Sequence, residues 1–210
     1  MTRFVEAAIA KAGLLPVLAA HRAGDLETVA ASVTSWGAAD LLALGAVADA
    51  VRTEDVGQVV RVHPTHRTQD DGGDVTWVET SADASELDFL RAVAVARIAA
   101  PKGARIGVDW AQRGMELAQV ALGFGASDLR GPITRKSGLP IFADEKLKVK
   151  GQGMVALAAI KRQEIAALVT HAGRLPVFTD DEAHARESAA REPATREPAT
   201  REPTGEVAGV

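Results

Sequence analysis

The segment from Glu86 to Gly131, ELDFLRAVAVARIAAPKGARIGVDWAQRGMELAQVALGFGASDLRG, leaves the chain little choice of fold. A capping box, Ser85 to Asp88, opens an apolar run predicted to bury Leu87, Leu90, Ala94 and Ile98. Pro101 stops that helix near Ala100, because the residue before a proline is pushed out of the helical region. Ile106 and Val108 then point one way from a strand over 105–109. The next helix sets Gly114, Leu117, Ala118, Ala121 and Leu122 on one stripe. Gly123 or Gly125 ends it, and a strand over 127–129 follows. Helix, strand, helix and strand in this order are one and a half units of a parallel α/β fold.

The flanks fit around this centre. Residues 3–22 read as a helix broken near Pro16, which lacks a backbone donor. Helices follow over 26–36 and 39–52, the latter with Leu41, Leu44, Ala48 and Val51 on one face. QVVRV at 58–62 is a strand, HPTHRTQDDGGD at 63–74 a loop, and 75–79 a brief strand. The region 132–153 reads as loop. A last helix runs to about Ala172 with Ile165, Leu168 and Val169 inward. Beyond Asp181 the repeats REPAT, REPAT and REPT have charge and proline but nothing to bury, so 181–210 is expected to be a disordered tail.

Composition excludes whole classes of chemistry. There is no cysteine, hence no disulfide, thiolate nucleophile, thiolate zinc site or cysteine-held iron–sulfur cluster. A net charge of −4 does not suit a sequence-independent nucleic-acid binder. Glu6, Lys11 and Pro16 interrupt the apolar N-terminus, which predicts neither a membrane span nor a signal peptide, and so a cytoplasmic protein. P-loop, Gly-x-Ser-x-Gly, His-Glu-x-x-His and dinucleotide-binding motifs are missing; GFGAS at 123–127 falls at the wrong end of a helix.

Three segments resemble the radical S-adenosylmethionine enzymes of the futalosine route to menaquinone, aminofutalosine synthase and dehypoxanthine futalosine cyclase among them. They are ADLLALGAVADAVRTEDVGQVV at 39–60, LDFLRAVAVARIAA with RIGVDWAQRGMELAQVALGFGASDLRG at 87–131, and RQEIAALVTHAGRLPVF at 162–178. The departures weigh as much as the matches. Where that family carries three cysteines in C-x-x-x-C-x-x-C spacing, this chain has HPTHRTQDDGGD. An acidic pair of the family is replaced by Arg135 and Lys136. A complete βα barrel takes about 250 residues, more than this chain holds. The resemblance therefore implies a shortened, cluster-less relative with partial TIM-barrel-like βα units. N-terminal helices and a first strand occupy 1–62, a linker over 63–80 replaces the barrel middle, and βα units with a closing helix occupy 81–180.

Such a relative cannot cleave S-adenosylmethionine reductively, and no cofactor is expected. The implied role is a non-catalytic accessory to menaquinone biosynthesis, paired with itself or with a full-length family enzyme to cover open sheet edges. The alternative is a small enzyme or ligand-binding protein acting on a futalosine-like nucleoside.

Candidate site residues follow from position. Asp109 and Asp128 end predicted parallel strands, where α/β ligand sites collect, and are candidate acid–base groups; the plainer reading is that they cap helices. Arg135 and Lys136 offer a phosphate or carboxylate contact, and Trp110 and Trp77 a stacking surface, though tryptophans more often anchor packing. His63-x-x-His66, with Asp70 and Asp71, has metal-binding spacing, but histidines in a polar loop are more often simply solvated. Arg91 and Arg97 are expected in surface or ion-pair roles.

Overall fold

In the computed structural model, residues 3–65, 74–81, 83–134, 146–149, 153–156 and 159–180 are described. The N-terminal third is helical: α1 (Arg3–Lys11), α2 (Leu15–Ala23), α3 (Leu26–Ser32) and α4 (Leu41–Val56). The break between the first two comes at Gly13, with φ 72°, and not at Pro16. Pro16 instead sits in the first turn of α2, where its missing N–H has no helical partner to lose. The helix expected over 26–36 turns to 3-10 geometry after Ser32. Asp40 caps α4 by accepting from Ala43 N at 2.9 Å, and α4 runs four residues past the expected end to Gly57 (φ 72°). Its buried residues, from Ala43 and Leu44 to Val51 and Arg52, lie on more than one side. The cause is placement, since α4 packs against both α1 and the later helices.

Strand β1 (Val59–Pro64) follows, then β2 (Val75–Trp77), and α5 (Glu86–Ala99) opens on the predicted Ser85–Asp88 box. Its inward face is Phe89, Leu90, Val93, Ala94, Arg97 and Ile98, while Leu87 is 63% exposed, contrary to its predicted burial. After β3 (Arg105–Asp109), the single helix expected is two, α6 (Trp110–Arg113) and α7 (Met115–Ala121), divided at Gly114 with φ 84°. Gly125, with φ 97°, ends the following 3-10 turn, and a Cβ there would come within 2.7 Å of Arg97. Then come β4 (Asp128–Gly131) and β5 (Ile133–Thr134). The region expected to be loop also holds β6 (Lys146–Val149) and the start of β7 (Gly153–Ala156), which form an antiparallel pair. Last are β8 (Ile160–Lys161), which pairs with β5, then α8 (Arg162–His171) and β9 (Leu175–Phe178).

Five strands form one parallel sheet in the order β2-β3-β4-β1-β9. A sequential barrel would set β1 beside β2; here β1 lies between β4 and β9. The crossovers through α5, α7 and α8 all advance in one direction across the sheet, so right-handed connections place these helices on one face. Val60, Val62, Ile106, Val108, Leu129 and Phe178 turn toward them and are buried. Helices α1 to α3 lie outside this layer, against α4 and α5. No single described helix is long and apolar enough to cross a membrane, and α1 and α2 meet at 104°.

Candidate functional site

The face of the sheet turned away from the helices is polar. In a parallel sheet, residues in register on neighbouring strands share a face, and residues two apart on one strand share it too. Arg61 pairs in register with Asp128, which pairs with Gly107, which pairs with Trp77. One step nearer the C-terminal ends, His63, Arg130 and Asp109 form a row across β1, β4 and β3. Arg105 lies one step the other way. Parallel sheets normally bury apolar residues on both faces. Ionisable side chains in such a layer need partners or a ligand to offset their desolvation.

Asp128 is the centre, with its side chain at 0% exposure. Its Oδ1 accepts from His63 Nε2 at 2.8 Å. Its Oδ2 accepts from Arg105 Nε at 2.7 Å and from the Ser127 hydroxyl at 2.8 Å. That hydroxyl also accepts from Ile106 N and from the Arg97 guanidinium, both at 3.0 Å. One donation and two acceptances saturate it. A continuous set of hydrogen bonds thus runs from α5 through the sheet to the polar face. Arg97 also donates to Gly125 O at 2.8 Å and Ala104 O at 2.5 Å. Burial lowers its pKa to about 10, which leaves it a cation at neutral pH.

Trp77 roofs this centre. Gly107 makes the position available, because a Cβ there would lie 2.3 Å from the indole ring. The His63 ring meets Trp77 edge-on with centroids 5.4 Å apart, and the Arg130 guanidinium stacks 4.5 Å from the indole centroid. Arg130 Nε also donates to Asp109 Oδ2 at 3.0 Å.

Asp109 has a structural role as well: its Oδ1 accepts from Ala111 N at 2.8 Å and caps α6. Asp128, expected to end a strand, instead opens β4, because the strand begins one residue later than predicted, and both of its oxygens already accept hydrogen bonds. Trp110 corrects the stacking expectation. It is 1% exposed and lies against Gly131, where a Cβ would approach its ring to 2.2 Å; it is a packing anchor. Arg97 is fully buried and not at the surface. Arg91 pins the end of the 3-10 turn before α4 by donating to Trp36 O and Ala39 O at 2.7 and 2.9 Å.

Arg135, Lys136, His66, Asp70 and Asp71 lie outside the described residues, as does the 181–210 tail. Among the described residues no three histidine and carboxylate side chains gather to hold a metal ion. His63, expected in a loop, is inside β1, with its Nε2 bonded to Asp128.

Arg105 and Arg130 did not stand out in the sequence. For Arg130 the signal was alternation: Arg61-Val-His63 and Asp128-Leu-Arg130 each place a valine or leucine inward between two polar residues, whereas Arg105, followed by Ile106 and Gly107, carries no such signal. No protein-family model matches the chain, and no curated protein is significantly similar to it.

Proposed function

We propose that this protein binds a small polar ligand on the open face of its sheet, at the C-terminal ends of β1, β3 and β4. The observation that carries this reading is the row His63–Arg130–Asp109 above a fully buried Asp128. A scaffold with no ligand would fill that layer more cheaply with valine and leucine. The C-terminal edge is also where ligands of open α/β sheets sit. The resemblance to the futalosine-route radical enzymes supplies the ligand class, a nucleoside of the futalosine type. It also supplies the fold reading: a section of a βα barrel, helices outside and interior face polar, linked to menaquinone biosynthesis without a cluster. Calorimetric titration with futalosine-type and simple nucleosides tests this. Binding heat that disappears in His63→Gln and Arg130→Gln is expected; no heat from any nucleoside sinks the reading.

A second reading is self-association, favoured by one surface. Leu42, 75% exposed, lines a groove of about 550 Å³ together with Val5, Ala46, Ala50 and Phe124, rimmed by Arg22, Asp49 and Glu54. The sheet edge at β9 is a poorer place for a partner. Leu175 N donates to Gln58 O on the β1 side at 3.0 Å, so Pro176 turns to the open side, where it has no N–H to offer. Light scattering of wild type and Leu42→Glu decides: a dimer lost in the variant supports this reading, and a monomer throughout removes it.

A further inference from the structure

We infer that His63 is the proton-accepting group of the polar face and Asp128 its positioning residue. The site then takes a small ligand that presents an O–H or N–H to the imidazole, of the alcohol, amide or imide class. This rests on the ligand-binding reading above.

Asp128 fixes the tautomer of His63. Its Oδ2 already accepts from Arg105 and from the Ser127 hydroxyl. A carboxylate so held is an acceptor only, so the proton of the 2.8 Å contact to Oδ1 belongs to His63 Nε2. In the neutral ring this assigns Nδ1 as the bare lone pair. The ring cannot easily turn to exchange the two nitrogens, because Trp77 packs against it edge-on and Asp128 comes from buried backbone. Among the described residues, Asp128 is the hydrogen-bond partner of His63, which leaves Nδ1 for a ligand. The side chain keeps 13% exposure, so the ring is reachable.

The step is a simple transfer. Nδ1 takes the proton of the ligand O–H or N–H, and the bonding electron pair stays on the ligand atom. Nε2–H remains with Asp128, whose negative charge favours the resulting imidazolium, as in any carboxylate-oriented histidine. The other charged groups on this face are of both signs: Arg61 on the same strand, ion-paired with Asp74; Arg130 beside His63 in the row, bonded to Asp109 and near Glu79; and Arg105 on the far oxygen of Asp128. The arginines oppose the imidazolium, and their carboxylate partners offset part of that opposition; Asp128 is the carboxylate in direct contact with the ring. The arginines also favour an anion formed on the ligand.

Two measurements on the ligand-free protein test this. Long-range proton–nitrogen NMR, with His63 assigned through His63→Gln, is expected to show the Nε2–H tautomer. Diethyl pyrocarbonate, followed by mass spectrometry of the His63 peptide, is expected to modify His63 while sparing His21, whose side chain is 4% exposed. The modification rate should fall several-fold in Asp128→Asn, a loss that a merely structural aspartate would not produce. An Nδ1–H tautomer in wild type, or a His63 that resists the reagent, overturns the inference. So does an unchanged rate in a folded Asp128→Asn; should that variant not fold, the two wild-type readouts still decide. Neither readout involves a ligand, so failure here is distinct from failure of the calorimetric titration.

Discussion

Val62, Leu129 and Val108 stand in one row across three strands of the sheet; His63, Arg130 and Asp109 stand one residue further along the same strands and turn the other way. The first row meets the helices and is held by burial, each side chain contributing about 1.5–3 kcal/mol. The second is held by directed bonds among charges, whose Coulomb energy is largely cancelled by lost hydration. The same backbone therefore carries one face that stabilises and one that costs stability unless fully satisfied. A layer kept at such cost is where function is expected.

Substitutions at adjacent residues on the two faces separate the two kinds of stabilisation. Asp128→Ala should cost about 3–5 kcal/mol in urea unfolding, because it strands Arg105 and His63 beside each other without a counter-charge. The double variant Arg105→Met with Asp128→Leu should recover most of that loss; if it does not, the polar face is contributing net stability. Leu129→Ala should cost about 2–5 kcal/mol by leaving a cavity, and no second substitution of charge should rescue it. Gly107→Ala should cost about 1–3 kcal/mol through overpacking against Trp77, measured by the thermal midpoint. It should also weaken any ligand, since the indole must move. The smallest effect belongs to the surface pair Arg22–Glu54, joined at 2.6 Å but with both side chains more than two-fifths exposed. Its bond to Arg22 lowers the Glu54 pKa. The pair's contribution is therefore present above the usual glutamate value and lost as pH falls through the lower folded value. Arg22→Gln should remove that acid dependence and cost no more than about 1 kcal/mol.

What could be read from sequence was what is decided locally. The box at Ser85 forms as expected, with Ser85 Oγ accepting from Asp88 N at 3.2 Å, because both partners lie within one turn. The strand over 105–109 was equally plain, with a helix and proline before it. Pro16 misled because a proline marks either a break or a first turn, and the choice was made by Gly13. The two tryptophans could not be told apart: Trp110 and Trp77 each lie against a glycine, but Gly131 turns to the core and Gly107 to the polar face. Strand order was out of reach for a related reason. Placing β1 between β4 and β9 depends on pairings more than sixty residues apart. The charged layer was within reach, since Arg-Val-His and Asp-Leu-Arg alternate, but only a known register turns two alternations into one site.

The position of Trp77 has an optical consequence. Of the three tryptophans, Trp36 and Trp110 are each 1% exposed in the apolar core, whereas Trp77 touches both a histidine ring and an arginine. An imidazolium in edge contact with an indole quenches its emission, and a displaced guanidinium changes its colour. The difference in fluorescence between wild type and Trp77→Phe therefore reports changes in the charge of the His63 ring and in the position of Arg130, readable without any label.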